Sequence, residues 1–430
     1  MPILMDLLYG LFVCLGWPYL LYRRLTRGAS GVALREYFGH VRSRPVSAHC
    51  AWIHGVSLGE INATRTIVDQ LHQRSPEVIP VISSTTRTGL DRARKLYPQL
   101  VTFRFPLDFS FAVRAALTRI RPSVIVLMEL ETWPNLIEIA ARQGIRVIIA
   151  NGRVTAERSV RRFKHPLIRW VARRMFSRLT WVGVQDGTYR ARFIEIGVPP
   201  DRVEITGSLK YDAAETGERI EGQDELAQEM GINTEQPLWV CGSTGPGEEA
   251  VLLEAYGKLL EQFPELQLAL IPRKPERFDE VARLVVQHGH ACLRRSTGAP
   301  MVPPEIVQPQ PVFLGDTMGE LRKFYALATV VFVGRSLVPM GGSDVMEVAG
   351  LGKAVLVGPH TENFAEAVNL LLSERAGRRV RSGDHLAAAV ADLLRHRSRR
   401  EQMGEAGRAA IISRRGATRK TVDQILSLLP

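Results

Sequence analysis

Residues 51–60 place a carboxylate where a strand gives way to a helix, and a carboxylate there can accept a proton from a substrate. The stretch reads Ala51-Trp52-Ile53-His54-Gly55-Val56-Ser57-Leu58-Gly59-Glu60. In an open α/β sheet, ligands lie beyond the carboxyl ends of the strands, so we expect Glu60 to face a ligand. The positive helix N-terminus favours its ionised form. The alternative is that Glu60 only complements the helix dipole in the first turn.

A second segment, residues 336–347, has the composition of an anion-binding loop. It follows the apolar run Val330–Phe332, contains two adjacent glycines and enters a predicted helix at about Ser343. Glycines let the backbone approach a ligand closely, and the N–H groups of a helix start favour a phosphate. Glu347, one turn further, could accept hydrogen bonds from a ribose. Taken singly, these residues are equally typical of an ordinary turn and a first-turn acid.

The elements that must position these residues alternate along the chain. The 430 residues are 45% hydrophobic, enough for two domains with cores of their own. Short apolar runs alternate with stretches of helical composition, which predicts doubly wound parallel sheets. The predicted strands are Val78–Ser83, Val101–Phe105, Ser123–Met128, Val147–Ala150, Trp181–Val184, Arg202–Thr206, Leu238–Cys241, Gln267–Ile271, Val312–Phe313, Val330–Phe332 and Ala354–Val357. The predicted helices include Gly89–Leu96, Leu136–Arg142, Glu248–Gln262, Pro275–His288, Met318–Ala326 and Val345–Leu351.

This pattern divides the chain into two Rossmann-like halves, which we expect to face a cleft. The first half should end near Asp212, and the polar residues 213–236 should link the halves through a short helix. Neither half carries a clear G-x-G-x-x-G fingerprint or a G-x-x-x-x-G-K-[ST] P-loop. Dehydrogenase and NTPase functions are therefore disfavoured.

The first residues of the chain favour a membrane. A dense apolar run extends over Ile3–Tyr22, is interrupted by Asp6 and ends at a cluster of arginines, Arg23, Arg24 and Arg27. Its length is near the ~20 residues that span a bilayer, and the basic flank would stay on the cytoplasmic side. Asp6 and the glycines of the run favour an interfacial helix instead. A helix packed in the protein core is the third possibility.

The charge balance points to an acidic partner. The net charge is +12, which suits nucleic acid, anionic lipid or a phosphorylated substrate. Arg158–Arg178 interleaves basic and apolar residues, as an anionic lipid surface would require, although a solvated basic face over a core-facing stripe fits equally well. The four cysteines show no zinc-binding spacing and fit a reducing cytoplasm. We expect no metal site and no nucleic-acid partner.

Six motifs occur in an order that resembles the Kdo (3-deoxy-D-manno-octulosonic acid) transferases of lipopolysaccharide synthesis, nearly from end to end. The first is the Glu60 segment, Trp52–Glu60, and the second is Met128-Glu129-Leu130-Glu131-Thr132-Trp133-Pro134-Asn135. The others are Gly207–Asp212, Pro272–Phe278, Gly315–Leu321 and Gly358–Phe364.

The resemblance implies a GT-B glycosyltransferase with three parts. Residues 1–24 would be a membrane-anchor helix, residues 25–215 the acceptor-binding domain, and residues 216–430 the donor domain, whose last helix could cross back. The donor would be CMP-Kdo and the acceptor a lipid A precursor, lipid IVA, with no further cofactor. The protein would lie at the cytoplasmic face of the bacterial inner membrane, in contact with anionic lipid.

The resemblance also assigns roles in catalysis. Glu60 would be the general base of an inverting transfer, and Glu129 and Lys210 would stabilise the transition state. From the residues alone, Glu129 follows an apolar strand, where a buried carboxylate is costly unless it is paired. Glu131 could be its partner, a neighbour or a second metal ligand, and metal is the less favoured reading. Lys210 could equally be a solvated loop lysine.

The donor site implied by the resemblance lies in the second half. Arg273 follows a strand and could bind phosphate through two hydrogen bonds, whereas Arg277 fits a surface ion pair. Residues that begin predicted helices would hold the cytidine and its phosphate. The predicted donor-binding residues are Pro272, Arg273, Met318, Gly319, Glu320, Asp344, Val345, Met346 and Glu347.

Departures from the family pattern cluster in this half. Asp344 replaces an asparagine, which puts a negative charge near the expected phosphate site unless Arg335 or Lys274 compensates. The other departures are Gly245-Pro246 for His-Glu, Lys274 for His, Arg335 for Gly, Ser343 for His, and variation in Asn151–Thr155. Two alternatives therefore stay open: a GT-B transferase with another acidic sugar donor or anionic lipid acceptor, and a catalytically silent relative that binds anionic lipid.

Overall fold

The computed structural model describes residues 2–11, 14, 34–44, 49–154, 157–302 and 310–429. The chain divides into two units: an N-terminal unit, Met1–Ala213 with Arg415–Pro430, and a C-terminal unit, Ala214–Arg414. The boundary after Ala213 precedes the polar segment, and the last residues of the chain belong to the N-terminal unit.

The N-terminal unit is built on seven parallel strands in the order β3-β2-β1-β4-β5-β6-β7. β1 and β4 are buried along their whole length, because helices cover both faces of such a sheet. The strands are β1 Cys50–His54, β2 Ile79–Ser84, β3 Val101–Arg104, β4 Val124–Met128, β5 Arg146–Gly152, β6 Trp181–Val184 and β7 Val203–Ile205.

The helices of this unit lie between the strands and at both chain ends. Residues 2–11 form α1, and the remaining helices are α2 Leu34–Tyr37, α3 Leu58–Arg74, α4 Arg87–Leu96, α5 Ser110–Ile120, α6 Pro134–Arg142, α7 Glu157–Lys164, α8 Pro166–Phe176, α9 Gly187–Ile196, α10 Leu209–Ala213 and α19 Ala417–Ser427. Val422 and Ile425 of α19 join the core beside α3.

In its described residues the C-terminal unit contains eight strands in the order β11-β10-β12-β9-β8-β13-β14-β15, and among these the β10–β11 pair alone is antiparallel. The strands are β8 Leu238–Thr244, β9 Gln267–Pro272, β10 Cys292–Arg294, β11 Pro300–Met301, β12 Val312–Leu314, β13 Val330–Val333, β14 Ala354–Val357 and β15 Gly377–Arg379. The helices are α11 Gln223–Met230, α12 Glu248–Leu260, α13 Phe278–Gln287, α14 Leu321–Leu327, α15 Met346–Gly350, α16 Ala365–Ser373, α17 Gly383–Arg395 and α18 Arg397–Ser413.

Several predicted boundaries were wrong in the C-terminal unit. The helix expected from Ser343 begins at Met346, and the helix expected from Met318 begins at Leu321. The helix expected over Pro275–His288 is interrupted, since its first three residues form a 3₁₀ turn. β10, β11 and β15 were not predicted, because they are only two or three residues long and partly exposed.

The predicted membrane anchor is not shown. No helix within the described ranges is long and apolar enough to cross a bilayer. Residues 12–13 and 15–24 of the predicted anchor lie outside those ranges.

Candidate active site

The strand order of the N-terminal unit reverses between β1 and β4, the place where α/β sheets bind ligands. The chain runs from β1 into the loop that carries Glu60, and from β4 into the loop that carries Glu129 and Glu131. Lys210 lies in α10, after β7. Electrostatic interactions of Glu129 with both Glu60 and Lys210 place these three predicted catalytic residues in one neighbourhood.

Glu60 is the third residue of α3 and forms a capping box with Ser57. Its Oε1 accepts hydrogen bonds from Ser57 N at 3.2 Å and Ser57 Oγ at 2.7 Å, and its Oε2 accepts one from Val56 N at 2.9 Å. These donors hold the carboxylate at the helix start and stabilise its charge. Glu60 therefore caps α3, as the alternative interpretation predicted. It also lies near two other carboxyl groups, those of Glu129 and Glu131.

Glu129 lies directly after β4 in a left-handed backbone conformation, with φ 57°. Non-glycine residues rarely adopt that conformation, and where it occurs it often marks a functional site. Its side chain is 23% exposed and contacts Arg153 Nη2 at 3.3 Å. Burial raises the pKa of Glu129, with Arg153 acting in the opposite direction and Glu60 in the same one.

Glu131 is held by an aromatic cluster on the other side of the same loop. Its Oε2 accepts a 2.8 Å hydrogen bond from Trp133 Nε1, and Trp133 packs against Phe105 with ring centroids 4.6 Å apart. Burial, followed by the charges of Glu60 and Glu129, raises the pKa of Glu131 to about 8. At neutral pH this side chain is therefore a protonated hydrogen-bond donor.

His54 closes the base of this loop and is neutral. Its Nε2 lies 3.9 Å from Glu131 Oε2, but burial lowers the pKa of His54 to about 3, so the contact is not an ion pair at neutral pH. Nδ1 of His54 lies 2.9 Å from Ser83 Oγ. The imidazole thus joins the ends of β1 and β2 beneath the carboxyl groups.

Lys210 is exposed on α10, whose start is fixed by β5. Asn151, near the end of β5, has φ 57° and accepts a 3.2 Å hydrogen bond from Leu209 N through Oδ1. The charge of Lys210 lowers the pKa of Glu129 against the effect of burial. An exposed amine beside a half-buried carboxyl group is suited to an anionic ligand.

The equivalent point in the C-terminal unit is the reversal between β8 and β13. Here Glu248, at the start of α12, is fully buried. Its carboxylate accepts hydrogen bonds from the backbone N–H groups of Gly245, Arg335, Ser336 and Leu337 at 2.5–2.9 Å. Glu248 therefore ties the loop after β8 to the loop after β13, which was the predicted anion-binding segment.

Pro272 and Arg273 stand at the end of β9. Arg273 N donates to Thr244 O at 3.1 Å, which leaves the guanidinium exposed. Arg277 was predicted to form an ion pair at the surface, but the ion pair that it forms with Glu249 is buried. Arg277 is 7% exposed and binds the buried Glu249 through two hydrogen bonds of 2.5 and 3.0 Å.

Residues 318–320 form a bend before α14 rather than its first turn. Gly319 has φ 94°, and Met318 is 66% exposed. The Glu320 carboxylate accepts from Arg295 Nε at 3.0 Å and from Thr317 Oγ1 at 2.5 Å. Burial opposes its ionisation, but these donors lower the pKa of Glu320 to about 2. The Glu320 side chain is thus engaged by these partners, which leaves the backbone groups of this bend and the exposed Met318 side chain for a ligand.

Residues 344–347 bring two acids together at α15. Asp344 Oδ1 accepts a 2.9 Å hydrogen bond from Met346 N, next to Val345. Burial and the charge of Asp344 raise the pKa of Glu347, and Arg322 and Arg273 oppose them. Arg273 is thus near enough to Glu347 to oppose the shift of its pKa.

The basic stretch Arg158–Arg178 contains most of α7 and all of α8. It has features of both predicted alternatives, a lipid-facing surface and a solvated basic face over a core-facing stripe. Met175 and Phe176 enter the core, whereas Trp170 is 55% exposed. Arg174 Nη2 lies 2.7 Å from the fully buried Glu138, so part of the positive charge is structural. The side chain of Arg158 lies outside the described part of the chain.

No individual role was predicted from the sequence for His54, Arg153 or Glu248. The sequence did contain a signal for His54 and Arg153, because His54 ends β1 and Arg153 directly follows β5. Polar residues of a Rossmann-type site occupy such positions at strand ends. Glu248 resembles any first-turn acid, and its four donors come from two separate loops. Within the described residues, no group of three or more His, Cys, Asp or Glu side chains is arranged to hold a metal ion.

Comparison with known proteins relates this geometry to one family. A family model described as 3-Deoxy-D-manno-octulosonic-acid transferase (kdotransferase) matches residues 33–213. The 3-deoxy-D-manno-octulosonic acid transferase of Haemophilus influenzae is 34% identical over 86% of this chain and 85% of its own length. The enzyme of that name from Bordetella pertussis is 35% identical over 90% of both chains.

The same fold also occurs in proteins of much lower sequence identity. A glycosyltransferase from Rickettsia africae is only 11% identical, yet the match covers 89% of this chain and 99% of that one with a TM-score of 0.58. This likeness confirms an α/β fold of the two-domain, GT-B type with parallel sheets.

Proposed function

This chain belongs to the 3-deoxy-D-manno-octulosonic acid (Kdo) transferases, and we propose that it transfers Kdo from CMP-Kdo to a lipid A precursor, lipid IVA, in lipopolysaccharide biosynthesis. The observation that carries this proposal is the convergence of Glu60, Glu129 and Lys210 at the strand reversal of the N-terminal unit. That unit would hold the acceptor, and the C-terminal unit would hold the donor.

Glu60 acts in this proposal as the general base. It takes the proton of the acceptor hydroxyl while the oxygen forms a bond to the anomeric carbon of Kdo. The bond from that carbon to the phosphate oxygen breaks, and CMP leaves with the electron pair, so the configuration is inverted. The capping contacts of Glu60 support the role, since they fix an ionised carboxylate at the carboxyl end of β1.

Glu129 and Lys210 stabilise the transition state. The amine of Lys210 supplies positive charge for the departing phosphate or the carboxylate of Kdo. Glu129, held by Arg153 at 3.3 Å, complements the positive charge that develops on the sugar ring. The protonated Glu131 next to them is available as a hydrogen-bond donor to the sugars.

The donor nucleotide binds to the C-terminal unit. Arg273 contacts its phosphate, and Glu347 accepts hydrogen bonds from the ribose. Backbone groups of Met318, Gly319 and Glu320 contact the cytidine, because the Glu320 side chain is occupied by Arg295. Pro272 shapes the end of β9, and Asp344, Val345 and Met346 complete the pocket.

Anionic lipid at the cytoplasmic face of the bacterial inner membrane is the proposed setting. Two observations support it. Apolar side chains on α1 are exposed, among them Ile3 at 78% and Leu7 at 67%. Trp170 is exposed on α8 among arginines, a combination typical of membrane-facing helices.

The test is release of CMP by the purified, detergent-solubilised protein. CMP-Kdo is supplied with and without a tetraacylated lipid A precursor. Release that requires the acceptor supports the proposal. The pairing of Asp344 with Glu347 favours a second candidate, transfer of another acidic sugar, which competition with other sugar nucleotides would detect. A folded protein that binds the acceptor and releases nothing would contradict both.

A further inference from the structure

Two helices next to the candidate active site begin without a capping side chain of their own. α5 follows Phe109 and α6 follows Trp133, and neither residue makes a side-chain cap hydrogen bond. The first N–H groups of a helix have no partner within the helix, and an aromatic residue at the N-cap cannot supply one. The structure supplies both partners from elsewhere in the chain.

Asp108 caps α6. Its Oδ2 accepts from Asn135 N and its Oδ1 from Leu136 N, each at 2.9 Å. Asp108 is 5% exposed, so these hydrogen bonds, together with a 3.1 Å bond from Tyr9 Oη, compensate the burial of its carboxyl group.

Asp6 caps α5 from the N-terminal helix. Its Oδ1 accepts from Ser110 N at 2.8 Å, and its Oδ2 accepts from Ser110 Oγ at 2.5 Å. Each of the carboxyl groups of Asp6 and Asp108 thus faces the positive end of a helix, which offsets their mutual repulsion.

Asn135 joins the two caps. Its Nδ2 donates to Asp6 Oδ1 at 2.9 Å and to the backbone oxygen of Asp108 at 2.6 Å. Asn135 is fully buried, and its Oδ1 has no hydrogen-bond partner among the described residues. Both amide hydrogens of Asn135, in contrast, are donated to α1 and to the residue two positions before α5.

Asn135 lies in the first turn of α6, directly after the loop that carries Glu129, Glu131 and Trp133. We propose that Asp6 is a positioning residue, which fastens α1 to Asn135 and so holds residues 129–135 in their active arrangement. A residue near the start of the chain thereby controls a loop more than 120 positions later. The part of this inference that concerns turnover depends on the proposed transferase function.

The experiment combines amide hydrogen exchange with kinetics on the full-length protein. Asp6→Ala should accelerate exchange by roughly tenfold, the loss expected for one cap, both at 108–113 and at 129–137. It should lower kcat by about tenfold or more, with little change in the KM for CMP-Kdo, since a displaced loop impairs chemistry more than binding.

Leu7→Ala is the matched control, because Leu7 is on the same helix and 67% exposed. It should leave exchange at 129–137 unchanged. Asp6→Asn, which keeps one acceptor for Ser110, should fall between wild type and Asp6→Ala, and it serves if the alanine variant does not fold.

Faster exchange confined to 108–113 would overturn the proposal, because Asp6 would then be only a local cap of α5. Unchanged exchange at 129–137, or faster exchange there with unaltered kcat, would overturn it as well. If the wild-type protein shows no transferase activity, the proposed function fails, and the exchange comparison still decides whether Asp6 holds the loop.

Discussion

Glu60 follows β1 in the N-terminal unit, and Glu248 follows β8 in the C-terminal unit, each beside the strand reversal of its sheet. Among the residues that the structure describes, the donors to the Glu60 carboxylate all come from its own turn, at Val56 and Ser57. Glu248 accepts backbone hydrogen bonds from its own loop and from three residues of the loop after β13.

The comparison teaches that topological position alone does not decide what a carboxylate does. The neighbouring loop of Glu248 presents N–H groups, so the charge is fully compensated and buried. The neighbouring loop of Glu60 presents the carboxyl groups of Glu129 and Glu131 instead. We therefore propose that the Glu60 carboxylate serves a ligand, whereas the Glu248 carboxylate holds two loops together.

The largest expected effect on stability is that of Glu248→Ala. It would leave four N–H groups, two buried and two partly buried, without an acceptor, so we expect the free energy of unfolding to fall by about 3 kcal/mol. Urea denaturation followed by circular dichroism measures this loss. Glu254→Ala, on an exposed position of the same helix, should be nearly neutral. A stable but inactive Glu248→Ala protein would contradict the comparison, because it would show that Glu248 has a chemical role.

Lys210→Met should lower kcat by about 10²-fold, the effect of removing one preorganised charge from a transition state. Stability should change little, because Lys210 is exposed. Steady-state kinetics measure the effect, and Lys95→Met, an exposed lysine of the same unit, is the control. Equal rates for both variants would mean that Lys210 is the solvated loop lysine of the alternative interpretation.

Asp344→Asn should lower the KM for CMP-Kdo by about fivefold, since a surface charge near a phosphate contributes about 1 kcal/mol. Loss of the Asp344 charge should also lower the pKa of Glu347, which Asp344 raises. Titration of CMP-Kdo by calorimetry separates binding from turnover. A weaker affinity in the variant would show that Asp344 contributes a favourable contact.

A further effect concerns Glu131 and pH. Below about pH 4.5 the residue is protonated in both states, and between there and about pH 8 only the unfolded chain ionises. Its ionisation therefore favours unfolding as pH rises through this window. Glu131→Gln cannot titrate, so its stability relative to wild type should increase from pH 4.5 to 8 and then level off. Urea midpoints at several pH values measure this, and a pH-independent difference would contradict the raised pKa.

The sequence predicted the central parts of the fold because their signals are local. Trp181–Val184 and Ala354–Val357 were predicted with their observed bounds, since buried parallel strands are continuous apolar runs. Glu60 was placed correctly at the start of α3, and both of its predicted roles are compatible with its contacts.

The features that the sequence did not predict depend on contacts between residues that are far apart in the chain. Asp6 was interpreted as an interruption of an apolar helix, whereas it caps a helix at Ser110. The burial of Arg277 follows from Glu249, and the late start of α15 at Met346 leaves Ser343 in the preceding loop. Periodicity does not encode such partners, because they are brought together only when the sheet forms.

The central claim is that the carboxylate of Glu60 performs chemistry in addition to capping α3. Acceptor-dependent CMP release by Glu60→Gln and by Ser57→Ala tests it most directly, because the first removes the base and keeps a hydrogen-bond acceptor, whereas the second removes the cap and keeps the base. We predict that Glu60→Gln binds CMP-Kdo and loses about 10²- to 10⁴-fold in kcat, while Ser57→Ala is less stable but nearly as active as wild type. Near-normal turnover by Glu60→Gln, or equal losses in both variants, would contradict the claim and leave Glu60 as a capping residue.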